Sequence, residues 1–284
     1  MTHLALHFEH EGKHDHRLTI AGGHRDGLDM MVRKTDDMNL AVVVPVPANG
    51  SAAVAVRDFE AAISKWNLGE PCLPSRSYHR VRLVLYTLRP LPSAMRRKLS
   101  KHVASHELFS ECFEPPTFIA ALSPGQTSDV VESTMFFDLF ALSTTLGLED
   151  VRHVFWLAPS CRPVRAGWVD ALSRTVLFHN DFWTSGGIDH GASVGDFAIS
   201  SCALYNINDG AFTAFLGRVR DRYGAGEPFQ RSIYQYRARD VWSEQLRHAD
   251  RFLFDDIVYW HQGGHDRSVL AAALAEPGVF FVQT

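Results

Sequence analysis

Apolar positions along the chain fall into short continuous runs that alternate with amphipathic stretches. Leu40-Ala-Val-Val-Val-Pro45-Val-Pro47 is a β-branched run closed by prolines, the pattern of a buried strand. From Val54 to Trp66 the period changes to that of a helix. Ala55, Phe59, Ala62, Ile63 and Trp66 share one stripe, with Arg57, Glu60 and Lys65 outside it. Val81–Leu88 predicts a second strand, ended by Pro90 and Pro92. Ala94–His106 predicts a basic helix with Ser93 as its N-cap. Phe118–Leu122 predicts a third strand, and Ser123-Pro-Gly-Gln126 a turn. Asp129–Leu146 reads as a helix carrying Met135, Phe136, Leu139, Phe140 and Leu142, with Gly147 as its stop. Val151–Leu157 is the fourth strand. This alternation predicts an α/β fold with a central, mostly parallel sheet flanked by helices.

After Trp168 the pattern becomes irregular. Leu177–Trp183 is aromatic and predicts a strand, Thr184–Gly191 a flexible loop, and Phe197–Tyr205 another strand. Ala211–Tyr223 predicts a helix with Phe212, Phe215, Leu216 and Val219 on one face. No Pro/Gly/Ser-rich linker interrupts the core. The expected organisation is an extension over 1–37 and one domain over 38–284, with a nucleotide half to about 170 and an acceptor half beyond it.

Composition narrows the classes. The chain has 284 residues, 46% of them hydrophobic, enough for a full core. A formal net charge of -4 argues against a nucleic-acid binder, which shows a basic face. Four cysteines (Cys72, Cys112, Cys161, Cys202) lie far apart without a CxxC pair. That spacing reads as reduced thiols, with two disulfides as the alternative. No signal peptide and no membrane-length apolar run is visible, so the expected location is cytoplasmic. The first 37 residues hold His3, His7, His10, His14, His16 and His24. Helical i,i+4 spacing of His3/His7 and His10/His14 fits a metal-binding tract; scattered histidines on a peripheral extension is the reading preferred here.

The segment Phe155-Trp156-Leu157-Ala158-Pro159-Ser160-Cys161-Arg162-Pro163, running on to Gly167-Trp168-Val169-Asp170, takes an apolar strand through a short loop into an amphipathic helix. In an α/β sheet a ligand site forms at such a place. The segment resembles a W-x-E-x-D-x-x-P-x-x-x-x-W form through Trp156, Pro163 and Trp168. With Val44-Pro45 and Pro71-Cys72 before it and Trp183-Thr-Ser-Gly186 and Ala203-Leu-Tyr205 after it, the order is similar to that of a eukaryotic and viral group of GT-A-type glycosyltransferases. The resemblance runs from about Asn39 to Asp256. It implies a GT-A-like fold, a nucleotide-sugar donor, a glycan acceptor, and a divalent cation (Mn²⁺ or Mg²⁺) on an acidic pair. Here Ala158 and Ser160 stand at the acidic positions. Ser200 and Cys202 stand where the group has Asn.

Two readings follow. One is a hexosyl- or pentosyltransferase, either metal-independent or with a rebuilt metal site; the other is an inactive relative that binds nucleotide or glycan, or serves as a partner subunit. An α/β hydrolase is disfavoured by the lack of a GxSxG elbow. Pro45, Ser160, Arg162 and Arg165 are the candidates for the donor, the two arginines replacing a metal against a diphosphate leaving group; surface residues near the start of a helix is the preferred reading of both arginines. Cys161 as a thiolate ligand is a further alternative. Asp255, Asp256 and Asp189 are candidate bases for an acceptor hydroxyl; the Asp255-Asp256 pair reads equally as a helix N-cap, and Asp189 as turn chemistry. Trp183, Gly186 and His190 are candidates for the sugar, and His261 for a metal.

Overall fold

The computed structural model describes residues 6–8, 18–20, 39–46, 52–66, 70–73, 80–122, 128–179, 181–190, 197–224, 226–236, 251–254, 258–260, 275 and 279–283. The chain divides into two units, Met1–Met38 and Asn39–Thr284. In the first, β1 (Leu6–Phe8) pairs antiparallel with β2 (Leu18–Ile20), placing His7 opposite Thr19. His7 is therefore in a strand, and the helical spacing that joined it to His3 does not hold. His3, His10, His14, His16 and His24 lie outside the described residues.

The second unit begins with β3 (Leu40–Val46), α1 (Ala52–Trp66) and β4 (Arg82–Thr87). Next come α2 (Ser93–Ala104), α3 (Glu107–Cys112) and β5 (Thr117–Ala120). α4 (Ser128–Ala141) leads to β6 (His153–Leu157), then to β7 (Cys161–Pro163) and α5 (Trp168–Phe178). The strands β8 (Thr184–Gly186), β9 (Ile188–His190), β10 (Phe197–Ile199) and β11 (Cys202–Asn206) follow. The helices α6 (Gly210–Tyr223) and α7 (Phe229–Gln235) precede β12 (Phe252–Phe254), β13 (Val258–Trp260) and β14 (Phe281–Gln283).

The central sheet has seven strands in the order β5-β4-β3-β6-β11-β8-β12. All run parallel except β11, which is antiparallel to both neighbours. β3 is buried along its whole length, which explains its unbroken apolar run. From β3 the chain moves outward through β4 to β5, then returns through α4 to place β6 on the other side of β3. This reversal is a topological switch point, where the carboxyl ends of neighbouring strands part. The ladders show the parting. β3 pairs with β6 only as far as Val43↔Trp156, while it stays with β4 to Val46↔Thr87. Pro45, which has no N–H to give a ladder, lies just beyond the point where β6 leaves.

Aromatic side chains fill both faces of the sheet, following the alternation of β6. On one face Phe155 meets Phe281, which meets Trp168; Trp66 and Phe113 complete that cluster. On the other, Trp156 meets Tyr86, Phe136 and Phe229. Gly167 takes a left-handed φ of 77° before α5, the conformation glycine adopts without strain. Its N–H bonds Glu70 O, and the buried Asp170 accepts the Leu73 N–H at 2.8 Å. The Pro71-Cys72 and Gly167–Asp170 motifs are thus one packed joint.

Several local expectations change. Leu177 and Phe178 finish α5 rather than starting a strand; Phe178 is half-exposed there. The expected loop after Trp183 contains β8 and β9, and the strand expected over Phe197–Tyr205 is divided into β10 and β11. Ser93 is the first helical residue of α2; Pro92 holds the cap position, with no side-chain capping bond. The cysteines are not reduced thiols. Cys72 bonds Cys112, and Cys161 bonds Cys202.

Candidate functional site

The switch point lies at the carboxyl ends of β3 and β6, and the Ala158–Ser160 loop sits directly after β6. Ala158 is buried; Pro159 and Ser160 are exposed. The Cys161 N–H returns to Ala158 O at 2.9 Å, making a tight turn. The Ser160 and Ser201 hydroxyls are 3.2 Å apart, so the loop touches the residue just before β11. Cys161 joins Cys202 covalently, which removes Cys161 as a thiolate ligand.

Arg162 follows in β7, between buried Cys161 and Pro163, and pairs with Val282 of β14. Its Nε is buried and has no hydrogen-bond partner among the described residues. A buried guanidinium donor without an acceptor is costly to keep. Arg165 lies 6.0 Å from the centre of the Phe280 ring, a cation–π distance. Pro45 is buried in β3, in register with Tyr86.

Among the described residues, no three His, Cys, Asp or Glu side chains are grouped to hold a metal ion. The loop offers hydroxyls and a guanidinium, a donor set that does not suit a hard divalent cation.

One acid at this edge escaped the sequence reading. Glu132 lies in the first turns of α4, a helix that starts at the carboxyl end of the sheet. Its Oε1 accepts the Trp156 indole N–H at 3.0 Å, two residues before Ala158. Burial pushes its carboxyl above the ordinary range, and the indole hydrogen bond pulls the other way. Behind it, burial and then the Glu132 charge raise the Tyr205 hydroxyl. A sequence signal existed: Glu132, Met135, Phe136 and Leu139 fall at i, i+3, i+4 and i+7, so the acid rides the apolar stripe.

The acceptor-side candidates sit differently. Trp183 is buried; its ring stacks on Phe212 and its indole N–H donates to Asp209 at 3.0 Å. These are the surroundings of a core residue. A Cβ on Gly186 would lie 2.7 Å from the Ala203 Cβ, so this glycine lets β8 approach β11. Asp189 and His190 are in β9, paired with Ala198 and Phe197. Asp255, Asp256 and His261 lie outside the described residues.

No protein-family model matches the chain, and no curated protein matches it in sequence. Solved structures do match. The apo form of mouse xyloside xylosyltransferase 1 aligns with 87% of this chain and 97% of its own, at TM-score 0.50 and 12% identity. A glycosyltransferase involved in the glycosylation of the major capsid of PBCV-1 aligns with 86% and 92%, at TM-score 0.44 and 7% identity. At these identities the likeness concerns architecture: the chain has a GT-A-like fold, a mostly parallel sheet between helical layers.

Proposed function

We propose that the chain is a glycosyltransferase that moves a hexosyl or pentosyl group from a nucleotide-sugar to a glycan or other hydroxyl acceptor without a metal ion. The observation that carries this reading is the buried, unpartnered Nε of Arg162 beside a carboxylate-free loop at the switch point. Sugar transfer expels a diphosphate, and its charge must be met by a metal or by fixed donors. Arg162 supplies a planar, permanently charged donor there, and Arg165 adds a second positive charge three residues on. The Ser160–Ser201 hydroxyl pair offers neutral hydrogen bonds at the same loop.

In an inverting transfer the acceptor oxygen bonds to the anomeric carbon as the bond from that carbon to the diphosphate oxygen breaks. The diphosphate leaves with the bonding pair, and the acceptor proton passes to a carboxylate. Glu132 takes the base role in this proposal, since burial makes it a stronger base than an ordinary carboxylate. Asp189, Asp255 and Asp256 remain alternative bases on the acceptor side. An inactive nucleotide-binding relative is the second reading. It is favoured by the replacement of the acidic positions by Ala158 and Ser160, and of the Asn positions by Ser200 and Cys202.

The test is calorimetric titration with UDP, GDP and CDP and their sugar conjugates, in Mn²⁺ and in EDTA. Binding is expected to survive EDTA. Arg162→Ala is expected to weaken it about 10- to 100-fold, the loss of a charge-assisted hydrogen bond worth about 1.5–3 kcal/mol. Binding only in Mn²⁺, or unchanged affinity in the variant, overturns the metal-free site. Binding without transfer or hydrolysis selects the second reading.

A further inference from the structure

We infer that the Cys161–Cys202 disulfide gates the donor loop, so that diphosphate binding depends on the redox state of this one bond. The inference rests on the nucleotide-sugar reading above and adds its regulation.

β6 and β11 are antiparallel neighbours, and Cys202 at the start of β11 is in register with Leu157 at the end of β6. The chain then turns through Ala158, Pro159 and Ser160 before reaching Cys161. The loop is thus held at one end by the sheet ladder and at the other by the sulfur bridge. Three of the groups proposed to meet the diphosphate lie on or next to this cinched segment: Ser160 within it, Ser201 beside Cys202, and Arg162 beside Cys161.

Cys202 also stands at a position where the similar group carries Asn, so one departure from that pattern provides half of the crosslink. A metal held by two loop carboxylates would fix such a loop by coordination. Here a covalent bond to β11 fixes it, and donors fixed in advance bind with less entropy lost. The second bridge, Cys72–Cys112, links the segment before β4 to the end of α3, on other elements than these residues.

Opening the gate is a defined step. A dithiol reductant supplies two electrons and two protons; the sulfur–sulfur bond breaks into two thiols, and the dithiol becomes its own disulfide. Both cysteines are buried, so a reductant reaches them slowly and variants give the cleaner comparison.

The experiment titrates UDP and GDP in EDTA into three oxidised proteins: wild type, Cys161→Ala/Cys202→Ala and Cys72→Ala/Cys112→Ala. The expected result is affinity at least tenfold weaker in the first variant, and within twofold of wild type in the second. Equal affinity in all three overturns the gate while leaving the nucleotide site standing. No binding by wild type overturns the nucleotide site, and the gate with it. If the first variant fails to fold, wild type is equilibrated across a glutathione redox series. Thiols at each cysteine are then counted by alkylation and mass spectrometry. Affinity that falls with thiol at Cys161 and Cys202 supports the gate. Affinity that follows only Cys72 and Cys112, or neither pair, overturns it.

Discussion

Glu132 shows how one side chain can link packing to chemistry. Its place on the apolar stripe of α4 forces partial burial, and burial raises its carboxyl. Between the ordinary carboxylate range and the raised value, the folded chain keeps a proton that the unfolded chain releases. Stability therefore falls as pH rises through that window, the sign expected when the native state binds more protons. Glu132→Gln removes the titrating group, so urea unfolding at a series of pH values should show a shallower decline for the variant than for wild type. An identical slope would mean that Glu132 does not titrate there. The chemical consequence is separate. Wild-type transfer should rise with pH as Glu132 loses its proton, and the Gln variant should lose about 10²–10⁴-fold in rate.

At the scale of elements, α6 is capped by Asp209, whose Oδ1 accepts the Ala211 and Phe212 N–H groups at 2.8 and 2.9 Å. Its other oxygen takes the Trp183 indole N–H. One carboxylate thus starts a helix and anchors the residue that leads into β8. Asp209→Ala should cost about 2–4 kcal/mol in urea unfolding, combining a lost cap of about 1 kcal/mol with a lost acceptor for a buried donor, about 1–3 kcal/mol. Asp209→Asn should recover the cap part, and a loss below about 0.5 kcal/mol in the Ala variant would refute this account. The elements also show what the sequence could reveal. β3, β4 and β6 were legible because each is buried almost throughout, which demands unbroken apolar runs. Leu177 and Phe178 look like a strand because they open an aromatic run that reaches Trp183, yet in the fold they complete the last turn of α5. The three-residue strands β7 to β10 carry almost no local signal; their partners define them. Of the candidate site, the place of the loop after a strand was legible, and Arg162 with it as a candidate. Glu132 was hidden by the helix pattern around it.

Across the molecule, the paired cysteines change the picture that spacing alone suggested. No CxxC motif marks them, because the two partners of each bridge come from segments far apart in sequence. Their bridges close loops of nearly equal length, with sequence separations of 40 and 41. In the chain-entropy account such loops restrict the unfolded state about equally, and each bridge contributes up to about 4 kcal/mol. Opening Cys72–Cys112 by double alanine substitution should therefore lower the unfolding free energy by about 2–4 kcal/mol. It should also steepen the dependence on urea, because an unfolded chain without the crosslink exposes more surface. Urea unfolding of the variant against wild type checks both quantities together. A lower midpoint with an unchanged slope would place the effect in the folded joint around Gly167 and Asp170 instead. The two bridges should then differ in consequence though not in stabilising power: one holds a packed joint together, and the other lies across the residues proposed to meet the diphosphate.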